Sequence, residues 1–264
     1  MIRSVLFTLI FLPGCSQPLP PAMASDSALA PSEIRSGLTF LQPETQALQA
    51  DDFSNPSYLW VDHGAELFSR TPPSGGEACA TCHTATNHPQ EGAAAHYPAY
   101  DEASKSLVNL EGRINLCRER HQSLPPLAYE SEDLLALTGY VASLSRGVPV
   151  SVSIEGQAAP YYEMGRAYFF QRKGQLNLAC SQCHNEHWGR QLRGDTISQG
   201  HGNAFPAYRL EWQAFGSLQR RLRDCDAGIR AEPLDYGSEL YTAVELYLGS
   251  RASGLPMESP GVRR

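Results

Sequence analysis

Methionine is scarce in this chain, with four residues in 264. Met1 and Met23 fall near the start, so only Met164 and Met257 remain beyond it. Long apolar runs are missing too: the leading one, Val5 to Leu12, is too short to span a bilayer. Positive charge is not in excess. The formal net charge is −7, which removes the electrostatic reason to expect nucleic-acid binding. A hydrophobic content of 42% allows real cores, and 22 glycines with 19 prolines suit short helices joined by long irregular loops.

Cysteine is the informative residue. The seven stand at positions 15, 79, 82, 117, 180, 183 and 225. Cys180-Ser181-Gln182-Cys183-His184 reads C-x-x-C-H, the attachment pattern of a c-type haem, and Cys79-Ala80-Thr81-Cys82-His83 repeats it 101 residues upstream. Two thiols three residues apart reach the two vinyl groups of a porphyrin, and the adjoining His83 or His184 supplies the proximal iron ligand. A lone C-x-x-C is weak, because zinc and redox sites share it. Two copies with histidine predict two covalently bound haems. The expected fold is mainly α, with two class-I cytochrome c-like domains related by internal duplication and long loops.

Residues 1–24 have the layout of an export signal: Arg3, the apolar run, then a proline-rich stretch ending Ala22-Met23-Ala24. Cleavage after Ala24 leaves a soluble periplasmic protein. The competing reading takes Leu12-Pro13-Gly14-Cys15 as a lipobox with Cys15 lipidated, which Pro13 fits poorly. Residues 25–150 are then the first haem domain and 151–264 the second. Ser32 to Ala50 has polar helical character, with a helix start at Gln42-Pro43-Glu44-Thr45. Helices are predicted over Trp60 to Phe68, Ser131 to Leu144, Tyr161 to Gln171 and Ser238 to Ser250, with Cys117 inside Leu107 to Arg120. Gly64 and Phe68 match Gly165 and Phe169, the glycine marking close helix packing and the aromatic a wall beside the haem. Arg146-Gly147-Val148-Pro149 matches Ser253-Gly254-Leu255-Pro256, and Val150 to Pro160 has linker composition.

The second axial ligand is the open question at each iron. Met257 is a possible ligand for the second haem, but the first half has no equivalent, and Met164 reads as core. Cys117 lies 34 residues after His83 and Cys225 lies 41 after His184, so a cysteine serves both halves. A Cys117–Cys225 disulfide is the alternative in an oxidising compartment. His88, His96 and His121 are rivals for the first iron, and His187 and His201 for the second. A thiolate ligand stabilises ferric iron and lowers its potential, which disfavours a simple electron shuttle.

Around Cys225 the acidic chain turns basic, with Arg220, Arg221, Arg223 and Arg230 close together. Positive charge favours a reactive thiolate, and the planar guanidinium suits oxyanions. On a helix, Arg221 at i−4 shares a face with Cys225.

Several stretches are more specific than the haem motifs: Ser36-Gly37, Pro43-Glu44-Thr45-Gln46, Asn109 to Cys117, Phe205-Pro206-Ala207-Tyr208-Arg209, Arg221 to Cys225, Arg230-Ala231-Glu232-Pro233 and Gly254-Leu255-Pro256. In these the chain resembles the SoxA family, the dihaem cytochrome subunits of the SoxAX complex of bacterial thiosulfate oxidation. The resemblance implies an L-cysteine S-thiosulfotransferase that oxidatively couples thiosulfate to a cysteine of SoxY in the SoxYZ carrier. Two electrons would leave through haem to a downstream cytochrome c acceptor, and a monohaem SoxX-like subunit would complete a heterodimer. It implies that Cys225 is catalytic, carried as a persulfide and also the distal ligand of the second haem, and that Arg221 binds substrate. A non-catalytic dihaem electron carrier and a dihaem peroxidase are the alternatives.

Overall fold

In the computed structural model of the chain, residues 29–73, 75–87 and 89–264 are described. The export signal, Cys15 and His88 lie outside the described residues. The first half comprises α1 (Pro43–Ala50), α2 (Tyr58–Ser69), α3 (Cys79–Cys82), the hairpin β1 (Ala99–Asp101) and β2 (Ser106–Val108), α4 (Leu110–Gln122) and α5 (Glu132–Ser143). The second follows with α6 (Ala159–Phe170), α7 (Cys180–His184), the small hairpin β3 (Gln191–Leu192) and β4 (Asp195–Thr196), then β5 (Ala207–Arg209), β6 (Ala214–Gly216), α8 (Leu218–Gly228), α9 (Glu239–Arg251) and β7 (Gly261–Arg263). The fold is mainly α. Among the described residues no helix is long and apolar enough to cross a membrane.

Local chemistry sets the helix boundaries. Proline at the first position starts α1, where its missing N–H costs nothing. Asn109 and Ser131 cap α4 and α5 by accepting from Gly112 N (2.9 Å) and Leu134 N (3.4 Å). Ser217 and Ser238 do the same for α8 and α9, accepting from Arg220 N (3.1 Å) and Tyr241 N (3.4 Å). In the stretch Leu107 to Arg120, Leu107 lies in β2, and the Asn109 cap starts the helix that carries Cys117 at Leu110.

Each half is built on one intimate helix pair, α2 with α5 and α6 with α9. A Cβ at Gly64 would stand 2.0 Å from the Ala136 carbonyl oxygen, and one at Gly165 would stand 2.0 Å from that of Ala243. Only glycine allows these backbones to meet, as the duplicated spacing predicts. Phe68, Leu110, Leu137 and Val141 fill the first core, and Phe169, Tyr241, Val244 and Tyr247 the second. The ends of the two halves pair with each other. Gly147 N donates to Met257 O (2.8 Å) and Gly254 N to Val150 O (3.0 Å), both glycines having left-handed backbone. Met257 therefore packs in the first core with Ala94, Val150 and Ala252, away from the second motif. Its expected candidacy as a ligand of the second haem fails because the chain end crosses over to the other half.

The second half has one feature without a counterpart. β7 adds in parallel to β5, making a three-stranded sheet of order β6-β5-β7. Gln49 accepts from Val262 N (2.9 Å), Ser57 donates to Gly261 O (2.8 Å), and Gln199 holds Arg35 N (2.8 Å), so the N-terminal segment is tied to the second half.

Candidate functional site

The first C-x-x-C-H motif opens onto a pocket lined by Phe68, Cys79, His83, Ile114, Cys117 and Val141, among others. Its walls are largely apolar, as ligand sites usually are. The Phe68 ring stands 6.1 Å from the His83 ring, as the wall reading requires. α4 brings Cys117 into the same cavity, within electrostatic reach of Cys79 and Cys82. His83 Nδ1 is 2.6 Å from the Gln90 side-chain nitrogen. Iron ligation by Nε2 leaves a proton on Nδ1, so Gln90 must then present its amide oxygen, a 180° turn of one amide. Burial pushes both the Cys79 and the Cys117 thiols upward. The donor set and the shape fit a covalently held haem.

In the second motif the His184 ring is partly buried. Its Nδ1 lies 2.7 Å from the Ser198 carbonyl oxygen. A carbonyl only accepts, so Nδ1 carries the proton and Nε2 is left for iron. Burial lowers the His184 pKa to about 4, which keeps the imidazole neutral and ligand-competent. Gly200 lies against that ring in left-handed backbone (φ +76°), where a Cβ would fall 2.9 Å from His184 Cγ. Burial also pushes the Cys180 thiol up to about 12. Cys225, projected from α8, acts electrostatically on both Cys180 and Cys183, which places its sulfur facing the motif.

Cys117 and Cys225 thus each face their own motif, and all six described cysteines are free thiols, so the disulfide alternative is not formed. The histidine rivals lie elsewhere or are engaged. His96 is exposed with Nδ1 on Ser151 O (2.9 Å), His121 is exposed in the last turn of α4, and His187 is exposed beside Glu186 O. His201 is buried against Gln199 (3.2 Å), and burial pulls its pKa down to about 3.

The arginine cluster divides. Arg220 lies over the Trp212 ring (4.3 Å) and near Glu130 (3.9 Å). Arg223 donates to Leu234 O and covers Tyr236. Arg230 occupies a left-handed turn whose carbonyl accepts from Gln175 N. Arg220 and Arg223 are therefore committed to packing contacts. The Arg221 guanidinium, like that of Arg230, makes no hydrogen bond or ion pair among the described residues, and Arg221 is close enough to His184 to depress its pKa. Two arginines from outside the run join it. Arg251 covers Phe169 (4.6 Å) and donates to Gln199 O (3.3 Å), and Arg209 is fully buried with Cys225 and Arg221 in electrostatic reach. Sequence reasoning missed Gln90, Ser198, Gly200, Arg209 and Arg251. Only Arg209 had a readable signal, its place in the repeated Pro-Ala-Tyr-x segment.

Two thioether-forming cysteines, an oriented histidine and an apolar cavity define a c-type cytochrome, with covalently bound haem. The family described as SoxA/TsdA, cytochrome c domain, matches residues 63–150. The chain is 40% identical over 231 residues to the L-cysteine S-thiosulfotransferase subunit SoxA of Rhodovulum sulfidophilum, covering 88% of this chain and 80% of that one. It is 32% identical over 289 residues to the subunit of the same name from Chlorobaculum tepidum, across 100% of this chain and 99% of the relative. A crystal structure of SoxXA from P. pantotrophus matches with a TM-score of 0.82 at 35% identity, covering 88% of this chain and 87% of that one. The chain belongs to the SoxA family.

Proposed function

We propose that this protein is a dihaem L-cysteine S-thiosulfotransferase subunit that couples thiosulfate to a cysteine of a SoxYZ-type carrier. The observation that carries it is Cys225 facing the second motif, with the unpaired Arg221 guanidinium one helical turn before it on α8. The coupling joins the sulfane sulfur of thiosulfate to the carrier sulfur. A thiosulfonate forms, and the carrier thiol loses one proton while two electrons leave. Bound haem supplies the electron acceptor.

The protein's own groups do the rest. Arg221 presents a planar fork to the sulfonate end, and Cys225 offers its sulfur, carried as a persulfide, to the substrate. Ser198 fixes the His184 tautomer. Cys79, Cys82 and His83 would hold one haem, with Cys117 as a further iron ligand, and Cys180, Cys183 and His184 would hold the other, with Cys225 in that role. The halves divide at residues 150 and 151, the second being catalytic. A SoxX-like monohaem subunit is the partner, as in the SoxXA structure that this chain matches. A cytochrome c accepts the electrons downstream. The export signal at residues 1–24 supports a periplasmic protein, with Cys15 lipidation the alternative.

The test is thiosulfate-dependent haem reduction by the heterodimer with the carrier or a small-thiol surrogate. Cys225→Ala should abolish turnover with both haems attached, and near-normal activity in that variant would return the protein to plain electron transfer. Low-spin signals of histidine–thiolate iron in the oxidised protein are expected from both haems, and Cys117→Ser should remove one of them while sparing turnover.

A further inference from the structure

The two halves keep one constant register through the region that carries the distal cysteines. Ala99 to Asp101 corresponds to Ala207 to Arg209, the caps Asn109 and Ser217 correspond, and Arg113 and Cys117 correspond to Arg221 and Cys225, all 108 positions apart. The strand pairings agree, since Asp101 is opposite Ser106 and Arg209 is opposite Ala214. Against this background the buried residue ending the strand changes sign, from Asp101 in the first half to Arg209 in the second.

In the first half the arginine one turn before the cysteine is neutralised. Arg113 donates to Asp101 Oδ1 at 2.8 Å and Arg120 to Oδ2 at 2.8 Å, and Arg113 Nε also reaches the Tyr97 hydroxyl at 3.0 Å. In the second half no carboxylate stands there to receive Arg221. Arg209 occupies the place instead, only 2% exposed. Its Nη2 is held by Glu211 at 2.6 Å and its plane covers Trp212 at 4.9 Å. Its Nε and Nη1 are buried with no partner. Buried donors are almost always satisfied, and two open guanidinium nitrogens call for an acceptor that the chain does not supply, such as an oxyanion. Burial and the Arg221 charge lower the Arg209 pKa to about 10, so it still carries its proton at neutral pH. Arg209 is within electrostatic reach of both Arg221 and Cys225, so the strand position that carries a carboxylate in the first half carries a second cation here.

We propose that Arg209 and Arg221 together bind the sulfonate of the substrate beside Cys225, and that the exchange of aspartate for arginine at this strand position is what makes the second half, and not the first, a substrate site. The assignment rests on the reaction proposed above and adds a second binding residue to it.

The experiment uses the haem-loaded heterodimer, with thiosulfate saturation kinetics and calorimetric thiosulfate binding in the absence of carrier. R209D is the decisive variant, because the first half shows that this strand position folds with aspartate. The new carboxylate should pair with Arg221, raise KM about a hundredfold and remove calorimetric binding, two lost charge-assisted contacts at about tenfold each. Arg209→Lys should raise KM about tenfold, since one fork is lost, with kcat changed less than twofold. Arg221→Ala leaves β5 untouched and should keep a saturable, weaker thiosulfate site held by Arg209. Complete loss of binding in Arg221→Ala overturns the proposal, as do folded Arg209 variants with unchanged thiosulfate affinity. A shifted haem spectrum with unchanged affinity also overturns it, because Arg209 would then hold a haem carboxylate. A wild type that binds thiosulfate but transfers no sulfur defeats the proposed reaction and leaves the anion site standing.

Discussion

Arg113 Nη2 lies 2.8 Å from Asp101 Oδ1, and the matched pair in the second half is Arg221 and Arg209, two cations of which Arg209 is held by Glu211 and Arg221 by no carboxylate among the described residues. The same scaffold therefore carries a closed ion pair beside Cys117 and an open guanidinium beside Cys225. Under the proposed reaction, this is the difference that would separate a catalytic half from a structural one.

The Asp101 cluster should be a stability element. Two arginines and Ser104 hold its carboxyl well below the usual carboxylate range. Asp101→Asn should cost about 2 kcal/mol at pH 7, less than a fully buried pair because both arginines are partly exposed. A carboxyl with a depressed folded pKa stabilises above its unfolded value and loses that contribution as the pH falls through the folded one. The gap between wild type and variant in urea unfolding should therefore be full above about pH 4 and shrink below it. An equal gap at pH 7 and pH 3 would contradict the assignment.

Gly64 and Gly165 make a matched prediction. A methyl at either position drives into a carbonyl oxygen of the partner helix, and backbone cannot yield as a flexible side chain can. Gly64→Ala and Gly165→Ala should each lose about 3 kcal/mol, the upper range for overpacking. Thermal unfolding should report both, and a change under 1 kcal/mol in either would show that its helix pair is looser than described.

The motifs, the helices, the paired glycines and the two cysteines were legible because each rests on local spacing. Cys117 and Cys225 could be matched through their distance from a haem motif, although loop lengths differ by several residues. What stayed hidden depends on contacts distant in sequence. Met257 read as a ligand because its crossover into the first core is made by backbone pairing with Gly147 and Val148. The partners of Arg220 and Arg223 were hidden because nothing local reveals that Trp212, Leu234 and Tyr236 occupy them. Arg251 comes from α9, and its approach to His184 is tertiary.

Gly200 should be irreplaceable for the second haem. Its left-handed backbone already disfavours a side chain by about 1 kcal/mol, and the added methyl would press on the His184 ring that Ser198 orients. Gly200→Ala should perturb the absorption and paramagnetic signal of one haem and leave the other as in wild type. Two unperturbed haems would show that the ring has room to move.

The last prediction concerns two carboxyls that no proposed step uses. Glu111 on α4 and Glu245 on α9 both line one pocket between the two halves of the chain. Burial raises the Glu111 pKa to about 7, with Glu130 adding repulsion, and burial together with the Glu111 charge raises that of Glu245. A carboxyl whose folded pKa exceeds its unfolded value favours the native state while protonated, and that advantage is lost as the pH rises toward the folded value. For Glu111 the interval runs from about pH 4.5 to 7, worth on the order of 3 kcal/mol at 1.36 kcal/mol per unit. The wild type should therefore weaken between pH 5 and pH 8 relative to the double variant Glu111→Gln/Glu245→Gln, and the single variant Glu245→Gln should fall between them by removing the like-charged neighbour. Urea midpoints at the two pH values decide it. Parallel pH dependence in wild type and double variant would mean that the pair is hydrated and ionised, and that the cavity is open to water.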